Sequence, residues 1–383
     1  MAVTRTDHLV PHTSTVPANK GEHVELFVRE CASTPAGPPA ARKVVLMLHG
    51  RSVPVLAGYD LQHTSYGWAE ALAHAGYDVF MMDLQGSGRS PRPRMEDPCN
   101  VNPKQQGAVV PPLQLSDIPR SPSYPFVLTN SQSDQDELST VVEYIRTLRN
   151  VSKVAFIGWS AAAFAMGPYA IKNPAKVESL FLLAPIFPPA GPANPPALPA
   201  AGFPTHVLTH PGLDQAWSNE VHCATQREPG IVDVVWDALM ENDPIGRTWG
   251  KIDASTGKPV GASRYRNFVT WGWNSTTAGQ GGVLGGSVPV LIVHGEFDRT
   301  ANTTPPNPAA PALDFHVPAL YKAVTGPHKL LITVKCAGHS MPWEVQHKNL
   351  HNLSKHWLKH TDVGGKTNGL FDMDLSGAIS PSP

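Results

Sequence analysis

Short apolar runs recur along this chain at intervals that fit strands, with amphipathic stretches between them. Val24–Val28 reads as a first strand. Lys43–Leu48 (KVVLML) reads as a buried strand ending at His49-Gly50, and Asp78–Met82 (DVFMM) as the next, ending at Asp83. Val154–Ile157, Ser179–Leu183, Val290–Val293 and Lys329–Val334 complete the set. The later runs are apolar throughout rather than alternating, the pattern of strands covered on both faces. Tyr66–Ala75 predicts a short helix closed by Gly76 in the C-cap place. In Ser133–Leu148 the residues Leu138, Val141, Val142, Ile145 and Leu148 fall at helical spacing, behind the capping types Ser131, Ser133 and Asp134. Helices over Ala161–Ile171 and about Glu344–Lys359 follow two of the strands. This β-α-β alternation predicts an α/β fold, a mostly parallel sheet flanked by helices.

Two stretches break the rhythm. Pro91–Asn130 is polar and proline-rich with no clear element, and Pro185–Ser287 puts about a hundred residues between two core strands. An insertion that long is expected to fold as a cap of its own, with one clear helix at Ile231–Glu241. The expected organisation is therefore a core of residues 1–186 and 288–362, a cap or lid over 187–287, an ordered proline-rich loop at 91–130 within the core, and a loose Gly/Ser/Pro-rich tail at 363–383.

Composition narrows the function. Prolines number 39 of 383 residues, about twice the usual share, so much of the chain should be ordered loop. Thirty Lys+Arg balance 31 Asp+Glu, leaving no cationic excess for phosphates and disfavouring a nucleic-acid binder. No apolar run approaches the roughly 20 residues of a membrane span, and the start lacks the apolar core of a secretory signal. A cytoplasmic location is expected, with no membrane role. Cys31, Cys99, Cys223 and Cys336 are scattered without a CxxC pair, so free thiols are favoured over a disulfide. His347 and His351, and likewise His356 and His360, sit at i,i+4 spacing. Lacking an HExxH glutamate, they read as a solvated helix face rather than a metal site.

The sharpest chemical signal is Gly158-Trp159-Ser160-Ala161-Ala162, placed after an apolar strand and at the start of a helix. A nucleophile elbow needs that context, because a tight strand-to-helix turn with small flanking residues lifts the serine hydroxyl clear of the sheet. The helix start supplies unpaired N–H groups beneath it. Serine also needs a base and a group to orient the base. One strand ends in His294-Gly295-Glu296-Phe297-Asp298, and another in Cys336-Ala337-Gly338-His339-Ser340. The order Ser160, Asp298, His339 is nucleophile, acid, base. Glu296 is the rival acid. His294 and His49, each in a strand-end His-Gly pair, read as structural, and Asp83 as the holder of its Asp-x-x-Gly-x-Gly turn.

On these pieces (His49-Gly50, the Asp83–Ser90 turn, the Ser160 elbow, the GEFD turn and the AGH turn) the chain resembles the α/β-hydrolase-fold superfamily of serine hydrolases. The resemblance spans roughly residues 20–360 apart from the cap, with Ala162 replacing the second elbow glycine. It implies an eight-stranded core sheet, an inserted cap, hydrolysis of an ester or related bond, and no cofactor or metal. The expected oxyanion donors are the amides of Ala161 and of Arg51, with Ser52 next. The cap tryptophans Trp217, Trp236, Trp249, Trp271 and Trp273, with Phe203 and Phe268, either line an apolar pocket or form the cap's own core. Trp159, Ser52, Trp271 and Trp273 are the substrate-binding candidates. Arg264 and Arg266 are expected to be solvated rather than paired with a substrate carboxylate. The expected partner is a small molecule, an ester or lactone with a bulky hydrophobic acyl group. The oligomeric state is open, a homodimer being compatible. Alternatives on the same residues are C–C bond hydrolysis, cofactor-free perhydrolysis, or a non-catalytic binding protein.

Overall fold

The fully apolar runs become the central strands of a ten-stranded mixed sheet. The computed structural model describes residues 2–33, 43–198 and 204–382; Phe203 lies outside them. In chain order the elements are β1 (Val3–Thr13), β2 (His23–Ser33), β3 (Val44–Leu48), α1 (Val55–Tyr59), α2 (Trp68–His74), β4 (Asp78–Met82), β5 (Thr129–Asn130), α3 (Ser131–Arg149), β6 (Val154–Trp159), α4 (Ala163–Lys172) and β7 (Val177–Leu183). Then come β8 (Thr205–Leu208), α5 (His210–Ser218), α6 (Ile231–Glu241), β9 (Ser263–Arg266), β10 (Phe268–Val269), β11 (Val290–Gly295), α7 (Val317–Ala323), β12 (Lys329–Val334), α8 (His347–His360), β13 (Asn368–Met373) and β14 (Ile379–Pro381).

The sheet order is β1-β2-β4-β3-β6-β7-β11-β12-β13-β14. From β4 to β13 every neighbour is parallel, and antiparallel pairs occur only toward the two edges. Two expectations are corrected here. The sheet has ten strands rather than eight, because the C-terminal pair β13 and β14 extends it beyond β12. The tail is not loose, since β13 pairs with β12 over six residues. Both edges were hard to read for one reason: β1 is mostly solvent-facing and carries Pro11, and β13 is short with Gly369 near its start, so neither shows an apolar run.

Helix α3 starts where its chemistry dictates. Asn130 accepts from the Ser133 amide, and the Ser133 hydroxyl accepts from the Asn130 amide, a reciprocal capping pair. Asp83 holds its turn, accepting from the amides of Val55 (2.8 Å) and Arg89 (3.0 Å). Gly88 has φ +48°, and a Cβ there would lie 1.9 Å from the Asp83 carboxylate.

The proline-rich stretch packs toward the inserted segment. Val101, Val109 and Leu113 share a small apolar cluster with Val207, Trp249 and Ala262, and Gln105 exchanges hydrogen bonds with both backbone groups of Val207. Arg264 and Arg266 are buried rather than solvated. Arg264 meets the buried Asp243, also approached by Arg92, and Arg266 meets Asp134 at 2.7 and 3.0 Å. Arg264's charge is spent within the inserted segment and Arg266's on tying β9 to α3, leaving neither for a substrate.

Cys223 and Cys336 are joined in a disulfide, correcting the expectation of free thiols, while Cys31 and Cys99 remain unpaired. Disulfides persist chiefly in oxidising compartments, which runs against the expected cytoplasmic location. Among the described residues no helix is long and apolar enough to cross a membrane. His347 and His351 are buried against Tyr66 and Trp68 rather than solvated. Among the described residues no cluster of metal-ligating side chains is present.

Candidate active site

Ser160 follows β6 directly and has φ +58°, a conformation that side-chain-bearing residues rarely adopt. Small neighbours make room for it. A Cβ on Gly158 would sit 2.9 Å from the Met166 sulfur, and one on Gly50 would sit 3.2 Å from the Ser160 Cβ. Ala162 is accommodated as a buried residue. The Ser160 hydroxyl lies 2.9 Å from Nε2 of His339. His339 Nδ1 lies 3.1 and 3.2 Å from the two Asp298 oxygens. Asp298 is fixed in turn by the Ala301 amide at 2.7 Å. With the ring proton on Nδ1, Nε2 is the acceptor facing the hydroxyl.

The rival groups are engaged elsewhere. Glu296 accepts from the Cys336 amide, His294 bonds Thr333 and Asn302, and Nε2 of His49 accepts from the Leu84 amide. The amides of Arg51 and Ala161 donate to no protein acceptor among the described residues. Ser52, with φ +54°, is buried and not on the cleft lining, which corrects its substrate-binding expectation.

Two carboxylates that sequence reading missed brace the histidine loop. Glu220, from the cap segment after α5, accepts from the His339 amide at 2.6 Å through one oxygen. Its other oxygen accepts from the amides of Arg299 (3.0 Å) and Thr300 (2.9 Å) and from the Thr300 hydroxyl (2.8 Å). It thus ties the Asp298 turn to the His339 loop. Glu344 accepts from the Gly338 amide (2.8 Å) and the Trp217 indole (3.0 Å). Burial pushes the Glu344 pKa up to about 7 against these hydrogen bonds. Burial also opposes protonation of His339, but Asp298, Glu220 and Glu344 together outweigh it and raise its pKa above the usual imidazole value. No local motif announces Glu220. It lies 119 residues from His339, and only the tertiary fold joins them.

A cleft of about 490 Å³ opens over Ser160 and His339, walled by Trp159, Phe164, Leu213, Phe268, Phe315 and Trp343, with Arg51, His206 and Tyr265 also on its lining. Trp159 donates to the His339 carbonyl and meets Trp343 edge-on. The cap indoles proposed for substrate lie elsewhere. Trp273 is buried, donating to the Ile186 carbonyl, and Trp271 is not part of the cleft lining. Trp217 and Trp249 are buried packing residues, Trp217 spending its N–H on Glu344.

The chain is similar to several solved hydrolase structures. A thermophilic esterase from Thermogutta terrifontis, in a malate-bound structure, superposes with a TM-score of 0.51 at 17% identity, covering 92% of this chain and 99% of that one. A carboxylesterase from Bacillus subtilis gives 0.49 at 11% identity, covering 94% and 93%. A 2-hydroxy-6-oxo-6-phenylhexa-2,4-dienoate hydrolase from Rhodococcus gives 0.46 at 13%, covering 93% and 99%. No curated protein matches the chain. The family profile described as alpha/beta hydrolase fold matches residues 43–344, well over half the sequence. The chain belongs to the alpha/beta hydrolase fold family.

Proposed function

We propose that the protein is a serine hydrolase acting on small-molecule carboxylic esters through an acyl-enzyme. The observation that carries this reading is the run of contacts from the Ser160 hydroxyl through His339 to Asp298, built on a serine of positive φ. His339 Nε2 takes the Ser160 proton as the oxygen bonds to the ester carbonyl carbon. The carbonyl oxygen becomes an oxyanion held by the Ala161 and Arg51 amides. Its collapse breaks the bond to the alcohol, which leaves with the proton from His339. Water, deprotonated by the same imidazole, then attacks the acyl-enzyme and releases the acid. Asp298 keeps the proton on Nδ1 and stabilises the imidazolium. The aromatic cleft supports an apolar portion in the substrate.

The test is a panel of p-nitrophenyl esters. Wild type should hydrolyse them, and Ser160→Ala should lose at least about 10³-fold in kcat with an unchanged circular-dichroism spectrum. Undiminished hydrolysis in that variant would remove the scheme. Inertness of the wild type toward every ester would favour C–C hydrolysis, perhydrolysis or a binding role on this fold.

A further inference from the structure

Arg51 carries the one full charge among the described residues lining the cleft, with no Asp, Glu or Lys beside it. Its guanidinium makes no hydrogen bond or ion pair with any described residue. Arg264 and Arg266, by contrast, are each matched to a buried carboxylate. Arg51 stands next to Gly50, where a Cβ would lie 3.2 Å from the Ser160 Cβ, so its side chain starts near the proposed nucleophile. Two further polar groups flank it. His206 on β8 and Tyr265 on β9 are directly paired across the cap's two-stranded ribbon, and both line the same cleft. Neither the Tyr265 hydroxyl nor the His206 ring hydrogen-bonds to a described residue. The three are electrostatic neighbours: Arg51 acts on both His206 and Tyr265.

Five guanidinium N–H groups, a phenol and an imidazole thus border one apolar cleft, all without a hydrogen-bond partner among the described residues. Arg51 keeps solvent access there, yet surrounding protein still depresses its pKa, with no carboxylate to restore it. Burial and the Arg51 charge also lower the His206 pKa, keeping that imidazole neutral near pH 7 and able to donate. Arg51 is exposed in the open cleft and has no counter-charge beside it, so a substrate carboxylate can meet it in a charge-assisted, bidentate pair.

We propose that Arg51, with Tyr265 and His206, forms an anion subsite for a substrate carboxylate, so that the natural substrate is an ester with an apolar body and a free carboxylate. This rests on the ester-hydrolase reading above. A carboxylate fits better than a phosphate, because one planar guanidinium fork matches one monoanion and nothing else in the lining would neutralise a second charge.

The test compares two matched pairs: mono-p-nitrophenyl glutarate against p-nitrophenyl pentanoate, and 4-(pentanoyloxy)benzoate against phenyl pentanoate. The first places the carboxylate on the acyl side, the second on the alcohol side. Wild type should favour the carboxylate member of at least one pair in kcat/KM. The preference ratio should fall about tenfold to a hundredfold in Arg51→Gln and by a smaller factor in Tyr265→Phe. A measurement on wild type alone backs this up: benzoate should inhibit pentanoate hydrolysis at least about tenfold more strongly than benzamide. A ratio unmoved by Arg51→Gln, or benzoate no better than benzamide, overturns the subsite while leaving the hydrolase standing. Failure of wild type to turn over any of the four esters overturns both.

Discussion

Glu220 is the residue on which the geometry of the site turns most unexpectedly. A single carboxylate reaches both the His339 loop and the Asp298 turn, so the inserted segment contributes to the alignment of that pair. We class it as a positioning residue, because it touches the His339 amide and not the reacting atoms. Its charge also helps raise the His339 pKa. As the proposed general base that imidazole must be neutral, so kcat/KM should rise with pH through a limb above 6.5, the ordinary histidine value. Glu220→Gln keeps the shape and removes the charge. The acidic limb should then move to lower pH and kcat/KM on the plateau should fall about tenfold. A pH–rate profile superimposable on wild type would refute the role, whereas loss of rate with no shift would reduce Glu220 to a packing residue. This residue and Arg51 lie at opposite ends of what sequence can disclose. Arg51 follows a strand-end His-Gly pair and was legible as an amide donor, but its unpartnered side chain appears only once the cap ribbon brings β8 and β9 over it.

Among the elements, the turn after β4 and the loop after β12 carry the strongest constraints. Any side chain at position 88 meets the Asp83 carboxylate that holds Val55 and Arg89, and the backbone there is left-handed. Gly88→Ala should therefore destabilise by about 1–3 kcal/mol, visible as a lower denaturant midpoint with an unchanged slope. Wild-type stability in that variant would show that the turn yields. The loop after β12 is tied to the inserted segment by Glu220, by the Trp217 indole on Glu344 and, covalently, by the Cys223–Cys336 disulfide across 113 residues. Cutting the covalent tether in Cys223→Ser should cost about 2–4 kcal/mol, read against wild type in thermal unfolding without reductant. Equal melting temperatures, with mass spectrometry showing the wild-type bond formed, would mean that the noncovalent ties suffice.

Across the whole molecule, the parallel strands, the elbow and the order of Ser160, Asp298 and His339 were legible because each depends on short-range pattern: an apolar run, a tight turn, a motif at a strand end. What was not legible depends on long-range pairing. The edge strands lack an apolar run, the disulfide joins cysteines with no spacing signature, and Arg264 and Arg266 look like surface charges until Asp243 and Asp134 are brought to them. The Asp243 cluster carries a prediction at this scale. Asp243→Ala would leave Arg264, and Arg92 beside it, buried without the carboxylate that pairs them, so destabilisation of about 3–5 kcal/mol is expected, with proteolysis beginning in the inserted segment. Limited proteolysis identical to wild type would contradict that view of how the cap is held.

The most direct test of the whole account is to expose the protein to a fluorophosphonate and locate the adduct by mass spectrometry. One phosphonyl group on the peptide containing Ser160, strongly slowed in His339→Ala, is the expected result. A protein that stays unlabelled, or carries the group on any other residue, would contradict the assignment of Ser160 as the nucleophile.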